Sequence, residues 1–218
     1  MHTIAAMKNR RLAEAIRERF AIDDAVFDAI AATNREAFVP SGFKQHAYKL
    51  DALPIGSSQW ISSPLTVAKM TQYLQPEGAD RVLEIGCGSG YQAAVLSRLF
   101  RGVFTIERIE ALMLEAKRRF REQGIVNVHT RTDDGQRGWP QYAPFDRILF
   151  SAAAQKIPEA IVGQLSLGGI LVAPIASEEG ERIVRFVKRG ERLFEEVLEA
   201  CEFVPVLDGV QRHYRIGR

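Results

Sequence analysis

Cysteine is scarce in this chain of 218 residues, which has two, Cys87 and Cys201. Two thiols cannot build the framework that staples a small secreted domain, and their scarcity points to a reducing compartment. Long apolar runs are missing as well. No stretch reaches the roughly 20 residues that a membrane-spanning helix needs, and the N-terminus lacks the apolar core of a secretion signal. The expectation is a cytoplasmic protein with no membrane partner. Neither sign of charge dominates: 29 Lys and Arg stand against 27 Asp and Glu, for a net charge of +2. That balance argues neither for nor against a nucleic-acid partner. The basic cluster Lys117-Arg118-Arg119 with Arg121 alternates with apolar residues at helical spacing and reads as a solvated helix face. His46, His129 and His213 show no ligand spacing, so no metal site is expected. There is no internal repeat and no low-complexity segment. A hydrophobic fraction of 46% at this length is enough for a full core in a single domain.

The most informative stretch is Arg81-Val82-Leu83-Glu84-Ile85-Gly86-Cys87-Gly88-Ser89-Gly90. It reads as a buried strand entering a loop with glycine at every second position, with a helix starting near Tyr91. Glu107 ends the next predicted strand, from Gly102, where its carboxylate can accept both hydroxyls of a ribose. The loop is not the dinucleotide fingerprint G-x-G-x-x-G, because Tyr91 occupies the place of the third glycine. Nor is it a phosphate loop, since no Gly-Lys-Ser/Thr ends it. An ordinary glycine-rich turn is the competing reading; the acid at Glu107 favours a cofactor. Cys87 reads as a small packed residue. Ser89 lacks the G-x-S-x-G frame of a hydrolase nucleophile.

Around this stretch the chain changes texture. Leu12, Ile16 and Phe20 fall at helical spacing, and Asp23 or Asp24 can cap a second short helix carrying Phe27 and Ile30. The segment from Phe38 to Ser58 holds too much Pro, Gly and Ser for a regular element, and it is long for an idle loop. Ser63-Pro64 reads as a helix start, with Val67, Met70 and Leu74 on the buried face and Pro76 beyond its end. On spacing alone Ser62 reads as a second capping serine beside Ser63 ahead of a functional one. From Arg81 onward strands and helices alternate: strands at 81–86, 102–107, about 126–131, 145–150, and after Gly168-Gly169 through Ile175. Helices are expected to about Phe100, from Ile109 to Gly124, and after Pro158. Alternation of this kind gives a parallel sheet with helices on both faces, and ligands bind at the carboxyl ends of its strands. The short link after Ser177 makes Ile183–Val187 an antiparallel neighbour. A hairpin at Arg189-Gly190 leads into 193–203, where Phe194, Val197, Leu198 and Cys201 have helical spacing. A strand is expected there because it completes the sheet.

The pattern E-x-G-x-G-x-G with a downstream acid resembles the first motif of class I S-adenosylmethionine (AdoMet) methyltransferases. Further segments narrow the likeness. Leu53-Pro54-Ile55-Gly56 followed by Ile61-Ser62-Ser63-Pro64 resembles the family-specific loop of protein-L-isoaspartate O-methyltransferases. Asp134-Gly135 with Ala143-Pro144-Phe145-Asp146, and Phe203-Val204-Pro205-Val206, resemble that family's G-D-G loop, fourth strand and C-terminal F-V-P-L. The resemblance runs from about Leu12 to Asp208. It implies a Rossmann-like doubly wound, mostly parallel seven-stranded sheet with antiparallel strands at the C-terminal end. The whole chain, 1–218, would be one domain: a helical and active-site-loop region 1–79, an AdoMet-binding core 80–176 and a substrate-side hairpin region 177–218.

The resemblance further implies Ser62 as the catalytic residue. The cofactor would be bound by Trp60, Ile61, Ser62, Glu84, Gly86, Cys87, Gly88, Glu107, Arg108, Asp133, Asp134 and Gly135. The substrate would be bound by Ile55, Trp60, Ser62, Ala152, Val204 and Pro205. AdoMet becomes S-adenosyl-L-homocysteine as its methyl passes to the free carboxylate of an isoaspartyl residue, and the ester then closes to a succinimide that reopens to aspartate. Partners would be isoaspartyl peptides and proteins, with no metal and no nucleic acid, and the protein a monomer or small homo-oligomer. The chain departs from the family pattern at Trp60 (usually Thr), at Asp133 (usually Gly) and at Leu50, where an Asp is common and Asp51 follows one position later. These departures bear on substrate preference. Methyl transfer to a small molecule or nucleic acid, and a non-catalytic AdoMet- or peptide-binding module, are the alternative functions.

Overall fold

The computed structural model describes residues 2–212; His213 lies outside them. Two helices open the chain, α1 (His2–Arg17) and α2 (Asp24–Ala31). Leu12, Ile16, Val26 and Ile30 are buried between them and the rest of the core. The segment expected to lack regular structure contains two short 3-10 turns, Arg35–Phe38 and Ser41–His46. It ends in a small antiparallel hairpin of β1 (Leu53–Gly56) and β2 (Gln59–Ile61). Ser57 and Ser58 form the two-residue turn of that hairpin with φ of 52° and 55°. A turn with both central residues at positive φ normally carries Asn-Gly, so Ser57-Ser58 carries no hairpin signal. Next comes α3 (Pro64–Tyr73), with Ser63 as N-cap: its Oγ accepts from the Thr66 backbone N–H at 3.0 Å.

The central sheet follows as β3 (Arg81–Ile85), α4 (Tyr91–Leu96), β4 (Gly102–Glu107), α5 (Glu110–Glu122), β5 (Val128–Thr132), β6 (Phe145–Phe150), α6 (Glu159–Gln164), β7 (Leu165–Ser177), β8 (Gly180–Arg189) and β9 (Arg192–Cys201). Its spatial order is β5-β4-β3-β6-β7-β8-β9. The first five of these are mutually parallel and the last two antiparallel, as expected. Strand order reverses between β3 and β6, so a crevice opens at their carboxyl ends. Some boundaries differ from expectation. α4 stops at Leu96, where Ser97 Oγ donates to the Ala94 carbonyl at 2.7 Å, short of the anticipated Phe100. β7 starts at Leu165, before the Gly168-Gly169 pair that was expected to precede it.

β9 is a strand despite its helical spacing, and a β-bulge accounts for the spacing. Ile183 pairs with Glu199 and Val184 with Val197, so Leu198 is the extra residue that breaks the alternation. Glu199 then reaches Lys69 and the Tyr73 hydroxyl on α3, anchoring the strand to the helical layer.

The two faces of the sheet are covered unequally. Helices α1 to α5 pack on one face, around Val82, Val103 and Leu149. The other face, lined by Leu83, Ile85, Phe104, Ile148 and Phe150, is covered by the short α6 with Trp139 and Ala143 from the connection before β6. Phe104, Trp139, Tyr142 and Phe145 cluster there with ring centroids 4.7–5.8 Å from Phe104, a wall of aromatics where a longer helix is absent.

Candidate active site

A cavity lies over the carboxyl ends of β3, β4 and β6. Its walls come chiefly from the β2–α3 junction, the glycine loop and the C-terminal segment 203–207. The glycine loop turns back at once: the Gly86 and Cys87 N–H groups both donate to the Ile106 carbonyl, at 2.9 and 3.2 Å. Gly90, at φ 90°, cannot be another residue without movement, since a Cβ there would stand 2.8 Å from Phe120 Cζ. This close seat brings α5 against the loop, and Arg119 of that helix donates to the Ser89 carbonyl at 3.1 Å.

Glu107 lines the cavity at 6% exposure. Its Oε2 accepts from the Gly88 N–H and its Oε1 from the Ile109 N–H, both at 2.9 Å. Burial pushes its carboxyl pKa up, and these backbone donors pull against that. A carboxylate has about four lone-pair sites, so two such bonds leave two for a diol. No lysine or arginine stands within 86–90 to meet a pyrophosphate. The donor set thus fits the ribose and amino-acid parts of AdoMet.

Trp60, Ile61 and Ser62 form the opposite wall, with Trp60 54% exposed at the mouth and Ile61 buried. Of the neighbouring serines, Ser63 is the one that caps α3. Ser62 lines the cavity with its side chain outside the cap, and its carbonyl accepts from Arg35 Nη2 at 2.8 Å. Gly86, Cys87, Gly88, Arg108, Gly135, Ala152, Val204 and Pro205, all anticipated from the sequence, also line the wall. Burial pushes the Cys87 thiol well above its ordinary pKa, so it packs as a neutral group.

Four anticipated residues lie off the wall. Ile55 sits against Gly88, its Cδ1 3.6 Å from where a Cβ on that glycine would be. Asp134 gives its carboxylate oxygens to the backbone N–H groups of Gln136 and Gly209, each at 3.0 Å. Asp133 pairs with Arg131 and accepts from the Asp134 N–H. Glu84 is sealed beneath Ser151.

The outer wall is a strap that the sequence reading recognised only in part. Ala153 N–H donates to the Val204 carbonyl at 2.8 Å, and Val206 N–H to the Ala153 carbonyl at 2.7 Å. Further on, Gln211 N–H donates to the Arg108 carbonyl at 2.8 Å. Phe203, Val206 and Leu207 join Val204 and Pro205 in lining the cavity. Thr66 and Met70 also reach it from the face of α3. Their spacing of four on one helix face was a usable signal; for the strap contacts there was none. Among the described residues no group of three or more potential ligands could hold a metal, and no helix is long and apolar enough to cross a membrane.

Glu84 carries a pH effect. It is fully buried, accepting from Thr105 Oγ1 at 2.5 Å and Ser151 Oγ at 3.2 Å. Burial pushes its pKa up from 4.5 to about 8 against the pull of those two hydroxyls. Between those values the folded protein keeps a proton that the unfolded chain has lost. Stability from Glu84 is therefore complete below the unfolded value and declines as pH rises through the folded one, by about 1.4 kcal/mol per pH unit inside the window. The thermal midpoint should fall from about pH 5 to about pH 8, and Glu84→Gln, which fixes a neutral group there, should flatten that slope. Calorimetry on both proteins checks this, and parallel slopes would refute it.

The family model for protein-L-isoaspartate(D-aspartate) O-methyltransferase (PCMT) matches residues 6–211. The protein-L-isoaspartate O-methyltransferase of Helicobacter pylori is 56% identical over 207 residues, spanning 94% of this chain and 99% of that one. Its counterpart from a Caulobacter species is 49% identical over 204 residues, spanning 93% and 94%. A solved protein-L-isoaspartate O-methyltransferase superposes with TM-score 0.86 at 25% identity, covering 93% of this chain and 67% of that chain. A Plasmodium falciparum structure, described as such an enzyme in complex with S-adenosyl-L-homocysteine, shares the fold at TM-score 0.83 and 20% identity, covering 91% and 98%. Since the match takes in every strand of the sheet, the glycine loop and the strap, this chain belongs to the protein-L-isoaspartate(D-aspartate) O-methyltransferase family.

Proposed function

We propose that this protein transfers the methyl group of AdoMet to the free carboxylate of isoaspartyl residues and so starts the repair of damaged proteins. The observation that carries the reading is Ser62 on the cavity wall, across from the glycine loop, with its neighbour Ser63 doing the capping. Bound AdoMet supplies an electrophilic methyl on a sulfonium. The substrate carboxylate is ionised at neutral pH and needs no general base. What remains for the protein is to orient the groups and remove water.

Each wall has its part in that task. Glu107 accepts the ribose hydroxyls, and the backbone of Gly86, Cys87 and Gly88 lies along the amino-acid part. Ser62 donates to the carboxylate beside the N-terminus of α3, whose positive dipole end favours an anion. Val204 and Pro205 of the strap, with Trp60 at the mouth, form the groove for the residues flanking isoaspartate. Trp60 is larger than the Thr of the family pattern and narrows which flanking side chains fit. Asp134 acts at one remove from the adenine, by holding Gly209 and with it the strap. Glu84 supports the floor through Ser151.

The whole chain works as one unit of small or monomeric assembly. Its two cysteines, both free, suit the cytoplasm. The test is methyl transfer from labelled AdoMet to a peptide containing isoaspartate and to its aspartyl isomer. The first should be labelled and the second essentially not. Neither becoming labelled while AdoMet binds would remove the reading.

A further inference from the structure

Arg35 is completely buried, yet it pairs with no carboxylate among the described residues. An isolated charge away from water is strongly unfavourable unless something compensates it. Here the compensation is made of backbone and ring. Nε donates to the Ala47 carbonyl at 2.9 Å and Nη2 to the Ser62 carbonyl at 2.8 Å. The guanidinium carbon lies 4.6 Å from the ring centroid of Tyr91. Nη1 meets no acceptor in good hydrogen-bond geometry among the described residues; the Tyr91 hydroxyl lies beside the guanidinium and the Tyr48 hydroxyl beside the Glu36 carboxylate. Burial lowers the guanidinium's pKa, but arginine stays cationic inside proteins.

These contacts all converge on the proposed site. Ser62 and Tyr91 both line the cavity, one on the acceptor wall and the other at the start of the helix that follows the glycine loop. A cation donating to the Ser62 carbonyl fixes that peptide at the wall and polarises it. With no acid to neutralise it, the charge also projects a positive potential into a site that must attract a carboxylate. An apolar side chain would have filled the same space without the desolvation penalty.

We propose that Arg35 is a positioning residue for methyl transfer: it fixes the Ser62 peptide and supplies, from behind the wall, the positive charge for which the substrate carboxylate is the counter-ion. The inference rests on the isoaspartyl reading and is tested beside it. In Arg35→Met the uncompensated charge is replaced by an apolar chain of similar length. The replacement also leaves the Ala47 and Ser62 carbonyls without their donor, so a lowered thermal midpoint is expected and the folded fraction is measured alongside. The expected result, corrected for the folded fraction, is AdoMet affinity within about twofold of the parent's with kcat/KM for the isoaspartyl peptide down at least about tenfold. Arg35→Lys keeps the charge but cannot span both carbonyls, so it should restore KM and leave kcat low. A merely structural role predicts no such split.

Full kcat/KM in Arg35→Met, or a loss no greater than its unfolded fraction, overturns the inference. If Arg35→Met does not fold, Arg35→Lys decides: parent values of both KM and kcat overturn the inference, and a low kcat with parent KM supports it. A parent protein unable to methylate the peptide would overturn the functional reading and this inference with it. An active parent beside an unaltered Met variant overturns this inference alone.

Discussion

Ser62→Ala should slow methyl transfer to an isoaspartyl peptide by about 10²–10³, the usual effect of losing one preorganised donor. AdoMet affinity and folding should stay as they are. The asymmetry follows from the division of labour between adjacent serines. Ser63 Oγ accepts from the Thr66 N–H and exchanges a hydrogen bond with Thr66 Oγ1 at 2.9 Å, so the start of α3 does not depend on Ser62. The Ser62 carbonyl, held by Arg35, is untouched by a side-chain change. Among the described residues no histidine lines the cavity to activate the hydroxyl as a nucleophile, so no methylated or peptidyl enzyme should accumulate. Single-turnover rates with calorimetric AdoMet titration measure both sides of the claim. A full rate in the alanine variant, or a trapped adduct on Ser62, would remove the serine from the role of orienting donor.

Glu107→Ala should act on the other substrate, weakening AdoMet at least about a hundredfold. Two hydrogen bonds from ribose hydroxyls to a charged acceptor contribute about 1.5–3 kcal/mol each, and about 2.7 kcal/mol is a hundredfold in affinity. The substitution also strips the Gly88 and Ile109 N–H groups of their acceptor, which loosens the glycine loop itself. Turnover at saturating AdoMet should suffer less than affinity does. Calorimetry showing unchanged binding would mean that the ribose lies elsewhere in the cavity.

Much of this architecture was legible because it obeys short-range rules. The alternation of apolar strands with helical faces from Arg81 onward locates the sheet, and the glycines locate the crevice. What escaped is long-range or locally ambiguous. Ser57-Ser58 carries no turn signature, so the hairpin presenting Trp60 and Ser62 read as loop. The bulge at Leu198 made a strand look helical. Arg35 left no trace at all, since it sits in the polar run Thr33-Asn34-Arg35-Glu36 and its acceptors are carbonyls 12 and 27 residues away. Asp134 was anticipated among the residues that bind the cofactor. The carboxylate instead holds Gly209, a partner 75 residues on that no local pattern could name.

That strap bears on how the molecule is made. Chains leave the ribosome N-terminus first, at about 5–20 residues per second. The glycine loop, Glu107 and Ser62 are all present, and every strand of the sheet is encoded, once Cys201 has been added. The outer wall arrives afterwards, with Phe203 to Gln211 crossing Ala153 and Arg108. Until then the cofactor's seat is an open trough. A chain cut before Phe203 should therefore keep every strand of the sheet while the cavity lacks its outer wall.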